Sequence, residues 1–284
     1  MKEIKFLVPY VIFTSFNYYF AKNGLLYSSP LAFMGIRYLL SGIVLLAFSR
    51  KLVLTKQLLL LSVVTVGSTI FWAYGLIYVS PTESAVLSYS MPLFSLPLAF
   101  MLVGERPTIL EMMGIAVGFA GVVIYGIPLF HGFTIVGVIL TLVNAVFWAA
   151  FSVMYRKLKD QDPIAINATQ FIIGSAIMLA ISPVDFRIVF TMNFTIDLLW
   201  LVTLGGILQF VLWNMMIRVS RVNRITVLAF SVPIFTMIIG ILTTREVPGI
   251  LSASGVVVMF LGILISRLKR GISIVNSRKT AGSK

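Results

Sequence analysis

The polar residues of this chain fall on stripes. Asn144, Trp148, Ser152 and Tyr155 follow one another at i, i+4, i+8 and i+11, so they share one face of a helix. Tyr10, Thr14, Asn17 and Tyr18 form a matching stripe near the N-terminus, and Ser84, Ser88, Met91 and Ser95 form a third. Hydroxyls, amides and aromatic rings aligned in this way can capture a small organic molecule reversibly, without covalent chemistry. The same stripes also suit hydrogen bonding between apolar helices, and spacing alone leaves both readings open. Trp72 and Trp213, with Gln209 one turn before Trp213, fit either caps at opposite ends of a cavity or anchors at a membrane surface. Arg37 interrupts an otherwise uncharged run. It either reaches out to water past its own aliphatic stem or points inward to pair with a carboxylate of a bound solute. The residues for catalysis are missing: there is no Cys and one His, His131, and the nine acidic residues sit at or near the ends of apolar runs. No catalytic residue, metal centre or cofactor is expected, and the chain reads as a non-enzyme.

What positions these residues is a set of long apolar segments. Of 284 residues, 59% are apolar and 11% charged, and the mean hydropathy is +1.04. A soluble domain has about a quarter of its residues charged, so this composition excludes soluble enzymes and soluble binding domains. Uncharged runs cover 6–21, 57–82, 84–104, 112–130, 132–155, 163–184, 198–217, 225–244 and 247–266, and a tenth, 30–49, is broken only by Arg37. Most reach the 18 or so residues that read as a membrane span, which gives ten transmembrane helices in an all-α membrane protein. The first run ends in Tyr18, Tyr19, Phe20, Ala21 and Lys22 with no small-residue cleavage site, so it reads as an uncleaved helix.

The net charge of +13 alone suits nucleic acid binding, but the basic residues lie between the spans, as topology determinants do. Lys2, Lys5, Arg50, Lys51, Lys56, Arg106, Arg156, Lys157, Lys159, Arg218, Arg221 and Arg224 fall on one side, together with the basic tail. Only Lys22, Arg187 and Arg245 fall on the other. This predicts a multi-pass protein of the plasma membrane with both termini cytoplasmic, in contact with lipid and a small-molecule substrate but not with nucleic acid. Its oligomeric state is left open. Residues 271–284 read as a disordered polar tail.

The two halves repeat. Ser90, Pro92 and Phe94 recur 141 residues later as Ser231, Pro233 and Phe235. At that offset Trp72 meets Trp213, Glu105 meets Glu246, Gly114 meets Gly255, and Gly121 meets Gly262. Near the start of each half the offset is 133 or 134, where Lys22 meets Arg156, Pro30 meets Pro163 and Arg37 meets Gln170. The division falls at 1–128 and 129–270. Each repeat has five spans, an odd number, so the second enters the membrane from the opposite side, as in many secondary transporters. Pro92 and Pro233 then stand at equivalent points of two helices, where each can kink its span and serve either as a bending point for gating or as static curvature.

With these features the chain resembles the drug/metabolite transporter superfamily, specifically its ten-helix EamA type. The resemblance rests on Thr14 to Tyr18 with Lys22, Pro30 to Phe33 with Arg37 to Leu39, Glu83 to Ala85, Pro92 to Phe94, Gly104 to Arg106, Phe147 to Ser152, and Arg245 with Glu246. It covers residues 6 to about 267. The family often has Trp where Thr14 stands. The resemblance implies export of amino acids, metabolites or amphipathic drugs by alternating access. The substrate-binding candidates are Thr14, Asn17, Tyr18, Arg37, Trp72, Ser88, Asn144, Trp148, Ser152, Gln170, Gln209 and Trp213. A membrane scaffold or sensor that transports nothing is the alternative, and it has no need of a polar central stripe.

Overall fold

The computed structural model describes residues 3–128, 134–244 and 249–268. Arg245, Glu246, His131 and the tail from 271 lie outside the described residues. In lipid a backbone donor or acceptor has no water to bond, so apolar runs of this length close their own hydrogen bonds as helices. The helices are α1 (Ile4–Tyr27), α2 (Pro30–Ser49), α3 (Lys56–Tyr78), α4 (Pro81–Ser88), α5 (Met91–Val103), α6 (Ile109–Gly126) and α7 (Ile135–Arg156). They continue with α8 (Pro163–Ile181), α9 (Met192–Val202), α10 (Gln209–Val219), α11 (Val222–Leu228), α12 (Ser231–Thr244) and α13 (Ile250–Arg267). A π-helical turn, Thr203–Leu208, joins α9 to α10. Local chemistry sets the starts. Ser80 with Glu83 and Thr108 with Glu111 form capping boxes at α4 and α6, and Pro30 and Pro163 occupy first turns, where a missing N–H costs nothing.

Taken as membrane crossings, α4 with α5, α9 with α10, and α11 with α12 each form one broken span, and the others cross whole. The count is ten. Eight of these segments are long and apolar enough to cross a membrane, and Ile250–Ser266 is a shorter apolar helix. The remaining one, α1, carries the first polar stripe.

The packing follows an exchange of halves. The second helix of each half pairs with its counterpart as α2 on α8, and the last pair meet as α6 on α13. The contact of α1 with α9 and α10 is mirrored by that of α7 with α3. Bonds repeat too. Lys22 donates to the carbonyls of Leu76 and Ile77 at 2.7 and 2.9 Å, while Arg156 donates to those of Ile217 and Arg218. Ser90 Oγ donates to Leu87 O, and Ser231 Oγ to Leu228 O, both at 2.7 Å.

Those two serines mark the helix breaks, which lie before Pro92 and Pro233 rather than at them. A proline ring clashes with the carbonyl four residues back. That residue is Ser88, the last of α4, or Ala229, just past the end of α11. The glycines shared between repeats pack within the molecule. A Cβ on Gly121 would stand 2.5 Å from Met259 N, and one on Gly255 2.5 Å from Tyr125 N, so α6 and α13 touch backbone to backbone.

At the end of the bundle that holds the N-terminus and most basic residues, ion pairs join the two halves. Glu105 faces Arg156 at 3.0 Å, Glu111 pairs with Arg221, and Glu3 pairs with Arg224 at 2.7 Å. Glu105 also accepts from Val222 N at 2.9 Å, supplying the cap that α11 lacks from its own N-cap residue, Arg221.

Candidate functional site

A cavity lies between the repeats, lined by α1, α2, α3, α4, α7 and α10. Nine of the twelve substrate-binding candidates line it: Thr14, Asn17, Tyr18, Arg37, Trp72, Ser88, Asn144, Trp148 and Gln209. Among the described residues, no acid lines it.

Arg37 is 3% exposed, so it does not reach outward to water. Its Nε donates to Leu201 O at 3.1 Å, its Nη2 to Gly205 O at 2.7 Å, and its Nη1 to Met34 Sδ at 3.5 Å. The two carbonyls come from the end of α9 and the π-helical turn, where the bonding pattern shifts register. Asn17 lies against the same turn, with its Oδ1 2.0 Å from where a Cβ on Gly205 would stand. A side chain there would displace the Asn17 amide. No carboxylate pairs with Arg37 among the described residues. Of its five N–H groups these contacts engage three, which leaves one on each terminal nitrogen for another acceptor. The guanidinium also lies over the Trp72 ring, 5.8 Å from its centre.

Across the cavity Asn144 is held at both ends of its amide: Ser68 donates to its Oδ1 at 2.8 Å, and its Nδ2 donates to Ser88 at 3.0 Å. Asn17 Nδ2 donates to Gln209 Oε1 at 3.1 Å. The hydroxyls of Tyr10 and Tyr89 meet at 3.1 Å. Three buried polar atoms of these lining residues make no hydrogen bond, Thr14 Oγ1, Asn17 Oδ1 and Trp72 Nε1. An unpaired buried polar atom is costly. Aromatic walls close the rest. Tyr18 meets Trp72 edge-on at 5.6 Å, and Trp148 contacts Phe210 and Trp213 at 5.3 and 5.8 Å.

Three candidates lie outside the cavity. Trp213 is fully buried and donates from Nε1 to Ser152 Oγ at 3.0 Å, so it is not a surface anchor, and Ser152 is used inside the same contact. Gln170 donates to Asn167 Oδ1 and accepts from Thr65 Oγ1. In the third stripe, Ser95 bonds to Thr226 and does not line the cavity, because the break after Ser88 interrupts the helical spacing that joined them. The break instead turns Tyr89 inward, which no helical count could foresee. Ser68 and Thr69 were also missed, although they lie one turn before Trp72 and that spacing could have found them. Asp197, read from sequence as a loop-level acid, lies within α9 and is 4% exposed, packed on the face that also carries Phe194 and Leu201.

The family model for EamA-like transporters matches residues 1–127 and 135–268. The chain belongs to the EamA-like transporter family. Within it, a protein of Acidianus ambivalens named as an uncharacterized transporter in the sor 3' region is 47% identical over 249 residues, 87% of this chain and 98% of that one. The uncharacterized transporter YvbV of Bacillus subtilis (strain 168) is 26% identical, over 80% of this chain and 79% of its own. A solved structure titled only as the crystal structure of a protein superposes with a TM-score of 0.79 at 17% identity, covering 94% and 96% of the two chains. That likeness concerns the fold alone. The EamA-like fold thus carries its cavity where the two halves meet, as transporters with inverted repeats do.

Proposed function

We propose that this EamA-like protein is an alternating-access carrier in the plasma membrane, its basic end cytoplasmic, exporting small organic solutes that carry a carboxylate and an apolar or aromatic part. Amino acids, metabolites and amphipathic drugs are the classes considered. The observation that carries the reading is Arg37: a buried guanidinium at the cavity wall, bonded to carbonyls and a thioether, with no carboxylate of its own. A charge kept inside a span at a cost of about 2.5–3.5 kcal/mol marks a functional position. The solute's carboxylate supplies the missing counter-charge, and Trp72, Tyr18 and Trp148 hold its apolar part. The direction of movement is taken from the family resemblance. A scaffold or sensor would have no use for this cavity.

The test is competition for flux in proteoliposomes. Arg37→Gln is expected to weaken amino acids by roughly ten- to hundredfold, the equivalent of one charge-assisted hydrogen bond of about 1.5–3 kcal/mol, while neutral nucleosides change little. Equal losses for both classes would remove Arg37 from substrate recognition.

A further inference from the structure

The three candidates outside the cavity are not scattered. Ser152, Gln170 and Trp213 are the repeat counterparts of Tyr18, Arg37 and Trp72, at offsets of 134, 133 and 141, and those three all line the cavity. The geometry is mirrored as well. In the first set Tyr18 meets Trp72, and Arg37 lies over Trp72 while bonding to the far repeat through Leu201 and Gly205. In the second set Ser152 meets Trp213, and Gln170 bonds to the far repeat through Thr65. Beside Gln170, Asn167 Oδ1 accepts from Asn214 Nδ2 at 3.0 Å. Asn167 and Asn214 are both fully buried, and Asn167 Nδ2 and Asn214 Oδ1 have no partner. A cluster of amides left half-satisfied is unfavourable as a finished core. It needs a further set of partners in some other state.

We infer that Ser152, Gln170 and Trp213, with Asn167 and Asn214, form a second half-site at the basic end, closed in this structure and opened when the carrier faces the other way. It takes the same carboxylate-bearing solute, now through neutral amide and indole donors and without a guanidinium. The solute moves from a cationic half-site to a neutral one. The ion pair of Glu105 with Arg156 and the bond from Val222 N to Glu105 close the basic end over this cluster, so weakening them favours opening. The inference rests on the alternating-access reading above.

The chain has no Cys, so single-cysteine variants of the whole protein can be labelled without removing native thiols. Ser152→Cys and Gln170→Cys would be reconstituted and exposed to a membrane-impermeant maleimide on each side, alone and combined with Glu105→Gln. Ser88→Cys reports the open cavity, and Ala145→Cys, fully buried on α7, reports packed core. Ser152→Cys and Gln170→Cys are expected to react slowly from the basic side only, as a minor state of a few per cent would, and about tenfold faster with Glu105→Gln. The amino-acid mixture of the flux panel is expected to slow both reactions. If both stay as inert as Ala145→Cys in either background while Ser88→Cys labels, the half-site is wrong and the cavity stands. Labelling that the mixture leaves unchanged would mean a water path without a ligand site, and would also overturn the inference. Failure of Ser88→Cys to react from either side would instead remove the carrier reading itself.

Discussion

At the scale of residues, a few contacts of fixed geometry shape the cavity wall. Arg37, Asn17 and Gln209 meet around the π-helical turn, and Gly205 is what lets them approach. Gly205→Ala would put a carbon 2.0 Å from Asn17 Oδ1, so the Asn17 side chain must turn away and its bond to Gln209 is disturbed. Flux of carboxylated solutes is expected to fall about as far as in Arg37→Gln, because misplacement of a binding group by about 1 Å can cost two orders of magnitude. A wild-type rate in Gly205→Ala would show that this turn does not position the site. Much of the cavity was legible in the stripes of α1 and α7, since a helix of regular period puts i, i+4 and i+8 on one face. Tyr89 was not legible, because it depends on a helix break whose local geometry follows from Pro92 and not from any period. Nor does spacing tell a residue that faces a cavity from its repeat counterpart in a closed seam, which is why Ser152, Gln170 and Trp213 were grouped with the lining residues.

At the scale of elements, the ten spans were legible because the membrane demands about 20 apolar residues per crossing, and the repeat was legible because Trp, Pro and Gly recur in order. The breaks inside three spans were not, although Pro92 and Pro233 pointed near two of them. The glycines shared by α6 and α13 pack against each other within the molecule. Here a methyl group is already too large. Gly121→Ala puts its Cβ within 2.5 Å of the Met259 backbone and is expected to destabilise the folded protein by about 1–3 kcal/mol, read as a lower midpoint of thermal unfolding in detergent. Gly126→Ala, where a Cβ meets nothing within 4 Å, is its control. Equal midpoints for the two variants would contradict a tight α6–α13 seam.

At the scale of the whole molecule, two halves of opposite orientation enclose the cavity, and no acid among the described residues lines it. Carriers coupled to protons commonly use buried acids on the pathway, so flux is expected to follow the solute gradient alone, with equal initial rates with and without a pH gradient across proteoliposomes. Acceleration by the gradient would contradict this, and Asp197, buried in α9 with Oδ2 unpartnered, would then be the first group to neutralise. Whether the cavity is a transport site is read from uptake by proteoliposomes of a labelled panel of amino acids, nucleosides and aromatic amphiphiles, with Trp148→Ala as the paired variant. Trp148 lines the cavity and packs on Phe151, Phe210 and Trp213, so its loss should open the aromatic wall while the bundle still folds. Saturable uptake of at least one carboxylated solute, strongly reduced in folded Trp148→Ala protein, is the predicted result. No saturable uptake of any member by folded wild-type protein, or equal uptake by the two proteins, would contradict it.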